Sequence, residues 1–159
     1  MSEKSVTIDQ MNARLLKALQ KEPTLSQREL AERVGLSQNA CWRRLKRLQD
    51  SGIIKGMRLV LDREALGLSL VVFVMIRTRQ HSAEWLAAFR QHIATVDEVI
   101  DFHRIGGDYD YLLRIVTRDM ASYDKVYQRL IEKFELNTVT SYFAMEAIME
   151  ERPLAIVPE

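Results

Sequence analysis

The chain has 159 residues, 47% hydrophobic and 28% charged, with six Gly, three Pro and a single Cys. These figures fit one ordinary domain or two small ones with a real apolar core, and they exclude a disordered, collagen-like or disulfide-stapled chain. The net charge of +1 conceals a division: residues 1–61 hold twelve basic and six acidic side chains, whereas 62–159 hold eleven and sixteen. A basic unit followed by an acidic one points to a polyanion partner for the first, although solvated faces also differ in charge by chance.

In chain order, Asp9 is placed to cap a first helix whose apolar face is Met11, Leu15, Leu16 and Leu19, with Pro23 beyond its end. Ser26 followed by Glu29 forms a capping-box pattern for a second helix with Leu30, Ala31 and Val34 inward. Gly35 supplies a residue that turns the chain at positive φ, Leu36 plugs the gap beneath the turn, and Ser37 caps a third helix. On that helix Cys41, Leu45 and Leu48 share the core side. Asn39, Arg43, Lys46 and Arg47 lie opposite, with Gln38, Trp42 and Arg44 on the flanks. Gly52 marks its end, and Ile53, Ile54 and Met57–Leu61 read as a short extended segment.

Two helices joined by a tight glycine turn, the second cationic on its outer face, are what a helix-turn-helix requires. Ser37, Gln38, Asn39, Trp42, Arg43, Arg44, Lys46 and Arg47 are the candidate contacts to double-stranded DNA. Gln38, Asn39 and Arg43, near the helix start, suit base edges in the major groove, and Arg44, Lys46 and Arg47 suit phosphates. Trp42 either touches a DNA sugar or packs on the neighbouring segment. Cys41, on the core side, reads as a small buried hydrophobe, with redox sensing a minor alternative. A three-helix bundle with a merely solvated basic face fits the same residues.

Further on, LSLVVFVMIRT reads as a strand buried on both faces. Ser82 caps a helix with Trp85, Leu86, Phe89 and Ile93 inward, and Val96–Ile105 follows as a strand. A turn at 106–108 leads to a strand over Tyr109–Val116. Asp119 opens a helix with Tyr123, Val126, Tyr127, Leu130, Ile131 and Phe134 on one stripe, and Val139–Ile148 alternates as a closing strand. The order β-α-β-β-α-β is the ferredoxin-like arrangement, with both helices on one face of an antiparallel sheet. The other face, left apolar and uncovered, predicts a homodimer.

Catalytic and metal signals are thin. His81, His92 and His103 have neither the spacing nor the carboxylate neighbours of a metal site, and no phosphate-loop, nucleotide-binding or nucleophile-elbow motif occurs. No cofactor and no enzymatic activity are expected. MSEKSVTIDQ lacks the apolar core of a signal peptide, and the longest apolar run, Leu70–Ile76, is too short to cross a bilayer. A soluble cytoplasmic protein with no membrane partner is the expectation.

Over residues 8–150 the chain resembles the Lrp/AsnC, or feast/famine, family of transcription regulators. The resemblance lies in IDQMNARLLKALQ, LSQRELAERVGLSQNACWRRLKRLQDSGII, LDREALGL, VDEVIDFHRIGGDYDYLLRIV and VTSYFAMEAI. CWRRLKRL, HSAEW and SYFAMEAI are closest to a proteobacterial branch whose targets include amino-acid-catabolism and detoxification genes. The resemblance implies a simple or winged helix-turn-helix domain over 1–54, an extended hinge over 55–67, and an effector-binding RAM domain over 68–159. It also implies dimers built through the RAM sheets, commonly assembled to octamers, and a free amino acid as effector. Matched to the family, the effector turn is Ile105, Gly106, Gly107, Asp108, Tyr109 and Asp110, with Thr140 and Ser141 contributed by the closing strand. Gly106 stands where Thr or Ala is frequent, which removes a side-chain contact. Backbone N–H groups of a glycine turn suit an α-carboxylate and an Asp suits an α-ammonium, while turn chemistry explains Asp110 equally well.

The reading that results is a sequence-specific regulator responding to a small effector. Its alternatives are an architectural DNA-compacting protein and a small-molecule-binding domain whose basic end serves assembly.

Overall fold

Each of the five helices among the described residues starts at a side-chain oxygen that accepts a hydrogen bond from a first-turn N–H. Those donors have no acceptor within the helix, so the short polar side chain before it decides where it begins. The computed structural model describes residues 6–159, so the first five residues of the domain expected over 1–54 lie outside it. The chain folds as two units. One runs to Val60 and includes Met149–Glu159, and the other is Leu61–Ile148.

In the first unit Asp9, Ser26 and Ser37 cap α1 (Gln10–Lys21), α2 (Gln27–Val34) and α3 (Gln38–Asp50). Leu15, Leu30, Ala31, Val34 and Cys41 form its core, with Met11, Leu19, Leu25 and Leu36 packed around them. Leu16, expected on the inner stripe, is only half-buried, while Asn12 is 6% exposed. Burial of that amide is tolerated because both its ends are bonded: Nδ2 donates to the Thr7 carbonyl at 2.8 Å and Oδ1 accepts from Arg44 at 2.9 Å.

Two expectations about this unit need correction. No strand forms over 53–61, and Met57, Leu59, Val60 and Leu61 are exposed, since no described residue offers a partner for their backbone. Among the described residues of this unit the three helices carry no strand, which is the simple form of the two the resemblance allowed. The tail, expected within the second domain, belongs to this unit. The Leu154 N–H donates to Gln20 Oε1 at 2.8 Å, Gln20 Nε2 returns a bond to the Leu154 carbonyl at 3.3 Å, and the Glu159 N–H reaches the Ile8 carbonyl at 3.0 Å.

The second unit is the expected β-α-β-β-α-β: β1 (Leu70–Arg77), α4 (Ala83–Ile93), β2 (Val99–Arg104), β3 (Tyr111–Thr117), α5 (Met120–Ile131) and β4 (Thr138–Phe143). The sheet order is β2-β3-β1-β4, antiparallel throughout. Val72, Val74 and Ile76 of β1, with Leu113, Ile115 and Tyr111 opposite them on β3, meet Phe89, Ile93, Tyr123, Val126 and Leu130 from the helices. Phe134 lies past the end of α5 but still packs edge-on to Trp85 and Phe89.

β1 is not buried on both faces. Its burial alternates: Val72, Val74 and Ile76 are buried, whereas Phe73 and Met75 on the other face are half-buried. That second face carries Asp101 and His103 of β2, Leu112 and Arg114 of β3, and Thr140 and Tyr142 of β4. It is therefore mixed rather than wholly apolar, and Arg114 Nε donates to Asp101 Oδ2 at 2.5 Å. The second and fourth strands are shorter than the expected 96–105 and 139–148. β4 pairs as far as Phe143, and the Ala144 N–H adds one bond to the Val71 carbonyl before β1 runs out at Leu70. With no neighbour left, Met145 and Ile148 are exposed.

Candidate DNA-reading and effector-binding sites

The helix-turn-helix is built from local chemistry. Ser26 and Glu29 form both halves of the capping box, with the Ser26 N–H donating to Glu29 Oε2 at 2.8 Å. The Ser26 hydroxyl bond, foremost, holds the Glu29 carboxyl below its ordinary value. Gly35 then ends α2 at φ 73°, where a side chain on Cβ is disfavoured. The Leu36 N–H closes that turn on the Ala31 carbonyl at 2.9 Å, and Ser37 accepts from the Ala40 N–H at 3.3 Å to start α3.

Cys41 and Leu48 anchor α3 in the core, with Leu45 half-buried beside them. Burial pushes the Cys41 thiol up, which keeps it protonated and disfavours the thiolate that redox sensing needs. Ser37, Gln38, Asn39, Trp42, Arg43, Lys46 and Arg47 are all exposed. Trp42, 52% exposed, is not packed away on a neighbouring segment. Lys46 pairs with Asp50 at 2.9 Å, an exposed i,i+4 contact worth about 0.3–0.5 kcal/mol and easily exchanged for a phosphate.

Arg44 departs from the expected set. Its Nη1 donates to Asp9 Oδ2 at 2.7 Å and to Asn12 Oδ1 at 2.9 Å, so it clips α3 to the start of α1 rather than projecting outward. The Asn12 N–H and then the Arg44 guanidinium hold the Asp9 carboxyl below its ordinary value. Arg47 shares a cleft of about 160 Å³ with Thr7, Asp9, Asn12 and Arg44 but has no ion pair among the described residues.

In the second unit the turn between β2 and β3 is held at its neck by the Ile105 N–H, which donates to the Asp110 carbonyl at 2.9 Å. Asp110 also donates its own N–H to the Ile76 carbonyl at 2.9 Å, and its Oδ2 accepts from the Thr78 N–H at 2.8 Å. It therefore ties the turn to the end of β1. Gly107 has φ 117°, and Gly106, Gly107 and Asp108 are exposed at the tip. The Tyr109 hydroxyl lies 3.2 Å from Thr140 Oγ1.

Ser141 does not join them. Successive residues of a strand face opposite sides, and Ser141 points under α5 to the Tyr123 hydroxyl. Two neighbours were missed by sequence reasoning. Arg77 donates from Nε to the Asp108 carbonyl at 2.5 Å and lies 5.6 Å from the Tyr109 ring centre. Hydrogen bonding to Tyr109 raises the Tyr142 phenol above its ordinary value. A separation of 31 residues between Arg77 and Asp108 leaves no local signal; the one sequence cue is a charged residue closing an otherwise apolar strand. His92 is structural: it is buried, with Nε2 2.7 Å from the Arg129 carbonyl. Among the described residues no three His, Cys, Asp or Glu gather as for a metal ion.

Residues 8–55 match a family model described as winged helix-turn-helix DNA-binding, and residues 71–154 match the Lrp/AsnC ligand binding domain. The chain belongs to the Lrp/AsnC family. It is a transcriptional regulator with a DNA-binding helix-turn-helix and a ligand-binding domain, in a family of regulators rather than enzymes. It is similar to the DNA-binding transcriptional activator DecR of Escherichia coli K12, 45% identical over 94% of this chain and 99% of that protein. An AsnC family regulator from Agrobacterium tumefaciens matches with a TM-score of 0.88 and 41% identity, over 92% of this chain and 96% of its own. A Neisseria meningitidis transcriptional regulator, solved as a complex with L-Met, matches with a TM-score of 0.87 and 28% identity, over 94% and 97%. No described helix of this Lrp/AsnC chain is long and apolar enough to cross a membrane.

Proposed function

We propose that this Lrp/AsnC chain is a cytoplasmic, sequence-specific regulator of amino-acid metabolism or detoxification genes whose DNA binding responds to a free amino acid. The observation that carries the reading is α3: its buried side anchors the helix, while Gln38, Asn39, Arg43 and Arg47 stand exposed on it. Gln38, Asn39 and Arg43 read bases in each major-groove half-site, and Lys46 and Arg47 hold phosphates. Residues 1–54 read DNA, 55–67 act as the hinge, and the RAM domain binds effector and assembles the protein.

The effector lies against the turn Ile105–Asp110 beside Thr140, with its α-carboxylate on the Gly106 and Gly107 N–H groups. These amides make no hydrogen bond among the described residues, which supports the role. Two copies meet through the open sheet face, and four dimers form an octamer. The ligand acts by favouring one assembly or interdimer geometry over another, which requires unequal affinity for the two. The Neisseria relative bound to L-Met supports an amino acid as the ligand class.

Footprinting on the chain's own upstream DNA, against random DNA of equal length, tests the reading. Protected half-sites that vanish in Arg43→Ala with Lys46→Ala are expected. Uniform coverage of both DNAs means an architectural protein, and no binding at low salt means a ligand-binding domain alone. Sedimentation with each of the twenty amino acids tests the assembly response.

A further inference from the structure

The proposed effector turn has a charged neighbour whose two outer nitrogens no described residue engages. Arg77 closes β1, and its guanidinium is held in two ways, at Nε by the Asp108 carbonyl at 2.5 Å and by the Tyr109 ring 5.6 Å away. Contact through Nε immobilises one edge of the planar group and leaves the two Nη atoms as a second pair of donors. Neither Nη has a hydrogen bond or ion pair among the described residues. Holding an arginine still while leaving its fork empty gains little for the fold, because the rotamer entropy is lost and no carboxylate is bound.

The position of the fork matters. Asp108, to whose carbonyl it is tied, directly follows Gly107, whose N–H and that of Gly106 are open. Two anion-receptive groups are thus tied to adjoining residues of one turn, Arg77 to Asp108 and the open amides to Gly106 and Gly107, and the Tyr109 ring beneath the guanidinium carries a hydroxyl 3.2 Å from Thr140 Oγ1. An amino acid with a neutral side chain has one carboxylate and leaves one of the two receptors unfilled. We infer that the effector is an acidic, dicarboxylic amino acid whose α-carboxylate sits on the Gly106–Gly107 amides and whose side-chain carboxylate is clamped by the Arg77 fork. Arginine matches a carboxylate with two parallel bonds, and an amide isostere replaces one acceptor with a donor facing it. The inference rests on the effector site proposed above.

Its test is calorimetric titration of the full chain with glutamate, aspartate, glutamine, asparagine, leucine and methionine, for wild type, Arg77→Gln and Arg77→Lys. Wild type is expected to bind glutamate or aspartate at least 10-fold more tightly than the matching amide. Arg77→Gln should shrink that ratio to about 3-fold or less while amide binding holds, and Arg77→Lys should fall between. Tighter binding of leucine or methionine by wild type overturns the inference and leaves the effector site standing. Equal loss of glutamate and glutamine in Arg77→Gln also overturns it, because Arg77 then serves the α-carboxylate or the turn itself. The wild-type ranking decides the matter even if the variants fail to fold. Heat from none of the six overturns both the inference and the amino-acid reading.

Discussion

Replacing Arg44 and Arg47 by Ala separates two roles that the sequence alone does not distinguish in these arginines of one helix. Arg44 makes two charge-assisted bonds, to Asp9 at 2.7 Å and to Asn12 at 2.9 Å, from a side chain only 34% exposed. Its loss leaves Asn12 Oδ1, in a residue 6% exposed, without its donor. An unmet buried acceptor costs about 1–3 kcal/mol, and the half-exposed Asp9 pair adds roughly 0.2–1, screened by solvent. We expect about 1–4 kcal/mol in all, which lowers the melting temperature of a unit this size by at least about 5 °C. Arg47 has no ion pair among the described residues to lose, so Arg47→Ala should melt like wild type.

DNA binding measured against salt inverts the ranking. Each phosphate contact contributes about 0.9 to the slope of log K against log salt, so Arg47→Ala flattens the slope by that amount per half-site. Arg44→Ala weakens binding through a loosened α3 at unchanged slope. Fluorescence anisotropy over a salt series, at a temperature where both variants are folded, reads the difference. A flattened slope with unaltered melting for Arg44→Ala would refute the clip and return Arg44 to the phosphates.

Three further outcomes are expected. Asp9, Glu22, Glu29 and Asp119 are all held below their ordinary values of 3.8 or 4.5, foremost by the Asn12 N–H, the Arg33 guanidinium, the Ser26 hydroxyl and the Ser122 N–H respectively. Their stabilisation is complete above those ordinary values and is lost as pH falls through the lowered folded ones. Urea midpoints should therefore be level near neutrality and decline below pH 4.5, and a midpoint still level at about pH 3 would contradict the cap and ion-pair geometry. Gly35→Ala meets no atom within 4 Å, so its cost is the backbone at φ 73°, about 1 kcal/mol in chemical denaturation. A neutral result would mean that the turn relaxes. Gln20→Ala removes both bonds to Leu154, and limited proteolysis should then release the tail several-fold faster without changing α1. An unchanged rate would place the restraint on the tail elsewhere.

Much of the candidate DNA-reading surface was legible because its determinants are local. Capping oxygens, Gly35 and the stripe Cys41, Leu45 and Leu48 all act within a few residues, so they specify the helices, the turn and the outward face of α3 before any tertiary contact forms. The same holds for the β-α-β-β-α-β order and for Asp119, whose side chain accepts from the Ser122 N–H at 2.7 Å. Periodicity gave Phe134 to the inner stripe of the last helix, and it packs there even though the helix stops first.

What stayed hidden depended on partners far away in sequence. Arg44 looks like any other cation of the third helix until Asp9 and Asn12, more than 30 residues earlier, come within 3 Å. Strand ends follow the neighbouring strand rather than their own alternation, so β4 stops where β1 gives out. Ser141 and Thr140 look equivalent on paper, but the pleat sends one under α5 and the other to Tyr109. By itself the sequence decided the helix starts, the turn and the division of charge, because those are properties of adjacent residues. Only the tertiary structure decided which of the arginines are engaged, since a guanidinium takes its role from the partner brought to it.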